Sequence, residues 1–222
     1  MKFFVLQNPK AGRGDAVTDF VPVDGAPTGD APRCEVCGKY VGMLPLLPPA
    51  RVELEGWGSV WGDIAFGPGD QVLISERCKR AVAEAGLNGF AHLDSVVVAT
   101  VKRRRPSIKG NPPDYWLATV ARSRAMLDEG ASGLEREEDG AVCSECGLGG
   151  VIKRLRRVVL RPGTWSGEDV FFARGLPGTI LTSERFKSLC ETAGLANCSL
   201  VDAETFSFDH YPQERAAGIR PH

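Results

Sequence analysis

The chain has 222 residues, 43% hydrophobic and 25% charged, a balance that describes a globular protein able to bury a sizeable core. Its net charge is −1, so no overall field favours nucleic acid or an anionic membrane surface. No stretch approaches the roughly 18 apolar residues of a membrane helix, and the apolar start Met1–Leu6 stops at Gln7-Asn8-Pro9-Lys10, short of a signal peptide. The expected location is the cytoplasm, where seven cysteines stay reduced and are metal ligands, core residues or catalytic groups before they are disulfides.

In chain order, Met1–Leu6 predicts a short strand and residues 8–30, rich in Gly, Pro and Asp, an irregular arm. Leu44-Pro45-Leu46-Leu47-Pro48-Pro49 excludes helix, because each proline removes a donor and restricts its predecessor. Val52 and Leu54 alternate with Arg51, Glu53 and Glu55, the period of a half-buried strand. Gln71–Ile74 predicts a strand, Ser75 an N-cap, and Gly86 with Leu87 the end of a helix reaching about Ala85. Strands are expected over 95–101 and 115–120, then an acidic solvated loop over 127–140. Beyond it come a basic-flecked strand at 151–160, Trp165–Phe172, Thr179–Leu181, a second helix, and a last strand region at 201–208.

Two copies of one phrase organise this order: Cys34-Glu35-Val36-Cys37-Gly38 and Cys143-Ser144-Glu145-Cys146-Gly147. Two residues between thiols let one tight turn aim both sulfurs at a point, and the following glycine permits the positive φ such a turn needs. A four-thiolate zinc site is the leading reading. The competing readings are two separate reduced dithiols, or redox pairs of thioredoxin type. Redox pairs normally open a helix, whereas turn-formers follow here.

The two halves also repeat each other. Ser75-Glu76-Arg77-Cys78-Lys79 returns as Ser183-Glu184-Arg185-Phe186-Lys187, and Ala85-Gly86-Leu87 as Ala193-Gly194-Leu195. Asp63-Ile64-Ala65-Phe66 corresponds to Asp169-Val170-Phe171-Phe172. Cys78 then stands opposite Phe186, Cys190 opposite Val82 and Cys198 opposite Phe90, so these three read as small core hydrophobes. Only the knuckle cysteines occur in both copies, and none of the three histidines recurs. Zinc wants four ligands and each half offers two thiols, so one structural zinc shared by Cys34, Cys37, Cys143 and Cys146 is the economical arrangement.

The remaining features have ordinary explanations. Lys102–Arg105 and Lys153–Arg157 could form a nucleic-acid surface with Tyr115 and Trp116, but a charged strand edge accounts for them as well. The repeated Glu76-Arg77 and Glu184-Arg185 fit helix first turns, and a tryptophan packed over a strand start accounts for Trp61 and Trp165 near Asp63 and Asp169. Gly12-Arg13-Gly14 lacks the context of a phosphate loop. No Ser/His/Asp grouping or paired catalytic carboxylates emerge, so no catalytic residue is assigned and the chain reads as a non-enzyme.

The paired Cys-x-x-Cys-Gly motifs, the start Met1-Lys2-Phe3-Phe4 and the twice-written Ser-Glu-Arg-x-Lys helix together resemble the double-CXXCG family, abundant as paralogues in myxobacteria. Some of its members are described as immunity proteins of contact-delivered polymorphic toxins. The resemblance implies a cognate toxin as partner and carries over only Cys34, Cys37, Cys143 and Cys146. The expectation is an α+β fold of two pseudo-equivalent zinc-ribbon-like halves, each with short antiparallel strands and one helix, joined at the shared zinc. It is one domain, with a first repeat over 34–105, a connection over 106–142 and a second repeat over 143–209. The alternative function is a zinc-ribbon-like nucleic-acid-binding or regulatory protein.

Overall fold

The computed structural model describes residues 1–9, 16–104, 108–137 and 141–209. Chain order runs β1 (Phe3–Gln7), β2 (Ala16–Pro22), β3 (Ala50–Gly58), β4 (Ile64–Phe66), β5 (Val72–Ser75) and α1 (Glu76–Glu84). The long strands β6 (Phe90–Arg103) and β7 (Tyr115–Met126) follow, then α2 (Glu129–Ser132) and β8 (Glu135–Arg136). The chain continues through β9 (Ile152–Leu155), β10 (Val170–Arg174), β11 (Ile180–Ser183), α3 (Glu184–Ala193), β12 (Ser199–Asp202) and β13 (Phe208–Asp209).

The expected α+β pair of zinc-ribbon halves is overturned. The protein is mostly β, 41% strand against 12% helix, and ten strands share one mixed sheet in the order β12-β1-β11-β10-β7-β5-β4-β2-β3-β6. Glycine and proline do not impose short elements throughout. They are instead concentrated between strands, and neither occurs within the 14 residues of β6 or the 12 of β7.

β7 is the hinge of the architecture. Its first residues, 115–118, pair antiparallel with β5, and Ala121 to Met126 pair parallel with β10. The start of β6 also pairs with β7, while its second part pairs parallel with β3. Strands β7, β5, β4, β2, β3 and β6 therefore close on themselves as a small barrel, and β10, β11, β1 and β12 extend the sheet away from it.

Alternation along these strands divides the interior into three cores. Leu73, Ala65, Leu117, Phe20 and Leu54 fill the barrel. Their neighbours Val72, Ile74, Ile64 and Ala118 face the other way, under α1 and α3, together with Val170, Phe172 and Ile180 of the extension. Phe171, Leu181 and Val5 then point to a third core, closed by Leu155, Val158 and Leu176. Both sheet faces are covered, so the central strands read as continuous apolar runs. No helix among the described residues is long and apolar enough to cross a membrane.

The helices α1 and α3 form as their caps dictate. Ser75 accepts from the Cys78 amide at 3.1 Å and Ser183 from the Phe186 amide at 3.2 Å. Gly86 and Gly194 adopt positive φ, 60° and 59°, just past the helix ends. Two expectations fail locally. The arm over 8–30 contains β2, whose adjacent Val17 and Thr18 are both fully buried and so give no period-2 signal. The acidic loop is partly built: Asp128 caps α2 and Glu129 binds Arg136 at 2.7 Å. Gly12-Arg13-Gly14, Arg105, Glu138, Asp139, His210 and His222 lie outside the described residues.

Candidate metal centre

Each Cys-x-x-Cys-Gly segment folds into the same knuckle. The Gly38 amide donates to the Cys34 carbonyl and the Gly147 amide to the Cys143 carbonyl, both at 2.8 Å. The Cys34 amide reaches the Lys39 carbonyl at 2.9 Å, and the Cys143 amide reaches the Leu148 carbonyl at 3.0 Å. Gly38 and Gly147 share a φ of 69°, the left-handed region that the glycine is there to allow.

The two knuckles meet although 109 positions separate them. Cys34 Sγ lies 4.0 Å from Cys143 Sγ and Cys37 Sγ 3.7 Å from Cys146 Sγ, with all four sulfurs within 4.8 Å of one another. A tetrahedral zinc with Zn–S bonds of about 2.3 Å has sulfur–sulfur edges of about 3.8 Å. The four thiols therefore fit a closed, four-coordinate ion with no position left for water. The amides of Cys146 and Glu145 aimed at Cys143 lower its thiol to about 7, which favours the thiolate that a metal needs. Burial raises Cys146 to about 12.

The knuckles are attached to the body differently. The second is fastened by the Gly175 amide to the Cys146 carbonyl at 2.9 Å and by Arg174 to Glu145 at 2.6 Å. Arg136 also donates to the Gly147 carbonyl at 3.0 Å. A Cβ on Gly147 would meet the Gly175 backbone at 2.7 Å, whereas one on Gly38 would meet open space. The first knuckle reaches the second through Lys39 Nζ, which donates to the Leu148 carbonyl at 3.2 Å.

Cys78 and Cys190 lie buried in the core under the helices, with Cys198 packed at its margin, as the repeat comparison expected. The basic runs are largely matched by acids: Lys102 pairs with Glu53 at 2.6 Å, Arg104 with Glu55, and Arg154 with Asp209 at 2.9 Å.

A second long-range contact went beyond what capping and packing anticipated. Asp63 is buried and accepts Ser75 Oγ at 2.6 Å, Arg77 Nε at 3.0 Å and the Ala196 amide at 2.8 Å. Asp169 accepts Ser183 Oγ at 2.6 Å, Arg185 Nη1 at 3.2 Å and the Asn88 amide at 3.1 Å. Each arginine then crosses over. Arg77 donates to the Gly194 carbonyl at 2.8 Å, and Arg185 to the Gly86 carbonyl at 3.2 Å, so each closes the end of the opposite helix. Burial alone would raise Asp63. Its hydrogen bonds from Arg77, Ser75 and Ala196 outweigh that and hold it below the ordinary 3.8. The recurrence of Asp, Ser and Arg was the available signal, and helix capping explained only the serine.

A model of the immunity protein family Imm11 matches residues 69–205, which include α1, α3 and the second knuckle. No curated protein matches the chain. The family match spans more than half of the sequence, and the chain belongs to the Imm11 immunity protein family.

Proposed function

We propose that the chain is an immunity protein that binds and neutralises a cognate contact-delivered toxin in the cytoplasm of the cell that makes it. The family match over residues 69–205 carries this reading. A non-catalytic binding role agrees with membership of an immunity protein family. A nucleic-acid role is disfavoured by the acidic partners of Lys102, Arg104 and Arg154, because neutralised cations cannot release counterions from phosphates.

One structural zinc bound by Cys34, Cys37, Cys143 and Cys146 staples the fold, and the spacing of the four sulfurs supports it. The chain is one domain that arose by duplication. Matching strand neighbours support that reading: β4 lies parallel to β2 as β10 lies parallel to β7, and β5 lies antiparallel to β7 as β11 lies antiparallel to β1. On this pattern the repeated unit begins at β1 and again at Tyr115, ahead of each knuckle.

The functional test is co-expression with the toxin-like product of an adjacent reading frame. Cells arrested by the toxin resume growth when this chain is present, and the two proteins co-purify. Continued arrest with no complex would refute the proposal.

A further inference from the structure

Outside the zinc-type cluster, one pair of thiols is placed for chemistry. Cys190 projects from α3 and Cys198 from the residue before β12, eight positions later. Their sulfurs stand 2.7 Å apart, inside the separation that two unbonded sulfurs prefer and close to bonding reach. The corresponding positions in the other half are Val82 and Phe90, which pack in the same core. Packing therefore does not require a thiol at either place.

We infer that Cys190 and Cys198 are a disulfide-forming pair, oxidised by a small-molecule disulfide of the glutathione type. Cys198 is the entry thiol because it is partly exposed, whereas Cys190 is buried. The hydrogen bond from Cys198 and burial also push the Cys190 thiol up, so it is the poorer first nucleophile. The Cys198 thiolate attacks the external disulfide, forms a mixed disulfide and releases one thiolate. The Cys190 sulfur, having lost its proton, attacks Cys198 Sγ and releases the second. Two cysteines are oxidised, one disulfide is reduced to two thiols, and the two protons end on those thiols.

The bond would enclose a loop that has a task. Between the two cysteines lie the Ala193 and Gly194 carbonyls that accept Arg77, at 3.5 Å and 2.8 Å. The same loop holds the Ala196 amide that donates to Asp63. It also holds Asn197, whose amide nitrogen donates to the Ile64 carbonyl at 2.6 Å and the Thr18 carbonyl at 3.1 Å. Closing Cys190 onto Cys198 fixes the second half's side of the carboxylate junction. The first half has no such staple, because its equivalent residues cannot cross-link.

The test treats the zinc-loaded full chain with oxidised glutathione, alkylates the remaining thiols and digests with trypsin. The peptide from Ser188 to Arg215 contains Cys190 and Cys198 and none of the other cysteines, so the knuckles cannot confuse the reading. The expected peptide is unalkylated and lighter by two hydrogen atoms, and the oxidised protein melts roughly 5 °C higher. Two alkyl groups on that peptide, or a persistent glutathione adduct, would overturn the pairing. A disulfide with no rise in melting would overturn the locking of the loop. Cys190→Val, which installs the residue found opposite, should stop at a mixed disulfide on Cys198. Failure to form that adduct would overturn the assignment of the entry thiol.

Discussion

Two sets of residues far apart in the sequence meet at two places, and the two contacts work by different physics. At the thiol cluster, each Cys-x-x-Cys-Gly segment supplies two sulfurs to one point. At the carboxylate junction, each half binds its own aspartate through its own serine and arginine, then passes the arginine to the opposite helix end. The first is a single cluster, and with a metal bound there, losing any member would remove the whole. The second is two reciprocal contacts, and one can fail while the other persists. A metal tetrad is therefore all-or-none, whereas the polar junction is graded.

The largest effect should come from Cys34→Ser. Apparent zinc-binding free energies in small zinc domains reach about 10–16 kcal/mol, so losing one of four ligands threatens the whole fold. Purified wild-type protein should carry about one equivalent of zinc per chain, and the variant far less with a collapsed thermal transition. Wild-type protein with less than half an equivalent would remove the metal from this comparison altogether.

Next in size are the aspartates. Asp63→Ala should cost about 3 kcal/mol in chemical denaturation, because it strands the Ala196 amide, Ser75 and the half-exposed Arg77. Asp169→Ala should cost somewhat less, since Arg185 reaches Asp169 through one nitrogen at 3.2 Å rather than two. If the double variant costs much less than the sum, the two contacts act as one unit and the graded picture is wrong. Acid gives a second view. Asp63 is held below 3.8 in the folded state, so its contribution is present above about pH 4 and is lost as pH falls through the lower folded value. Asp63→Asn should flatten that part of the acid unfolding profile.

The difference between the junctions also explains what was legible in the sequence. Ligand counting needs no fold: two Cys-x-x-Cys-Gly copies and a four-ligand metal sufficed to bring Cys34 and Cys143 together on paper. The helices were equally legible, since Ser75, Gly86, Ser183 and Gly194 act within a few residues. The carboxylate junction was hidden because Asp63 and Arg77 are completed by Ala196 and Gly194, more than 100 positions away. The sheet was hidden for the same reason. One part of β7 pairs with β5 and the next with β10, and no local period reports a strand with two such partners. Short antiparallel strands were expected, and the sheet's pairings are indeed mostly antiparallel, but many of them, and all three parallel ones, join segments far apart in sequence.

The smallest effect separates a ligand cysteine from a packing one. Cys78 is fully buried in the core beneath the helices, where burial pushes its thiol up and keeps it neutral. Its counterpart in the other half is Phe186, also fully buried, so the position accepts an apolar side chain as part of the stripe that contacts the sheet. Cys78→Val adds little volume and no polar group, and should cost about 1 kcal/mol or less. Zinc content should stay unchanged, because Cys78 is not among the four clustered thiols. If Cys78→Val instead releases zinc or unfolds the chain as Cys34→Ser does, the division of the cysteines into a shared centre and a packed core fails. The contrast with the knuckles would then reflect position in the fold rather than chemistry.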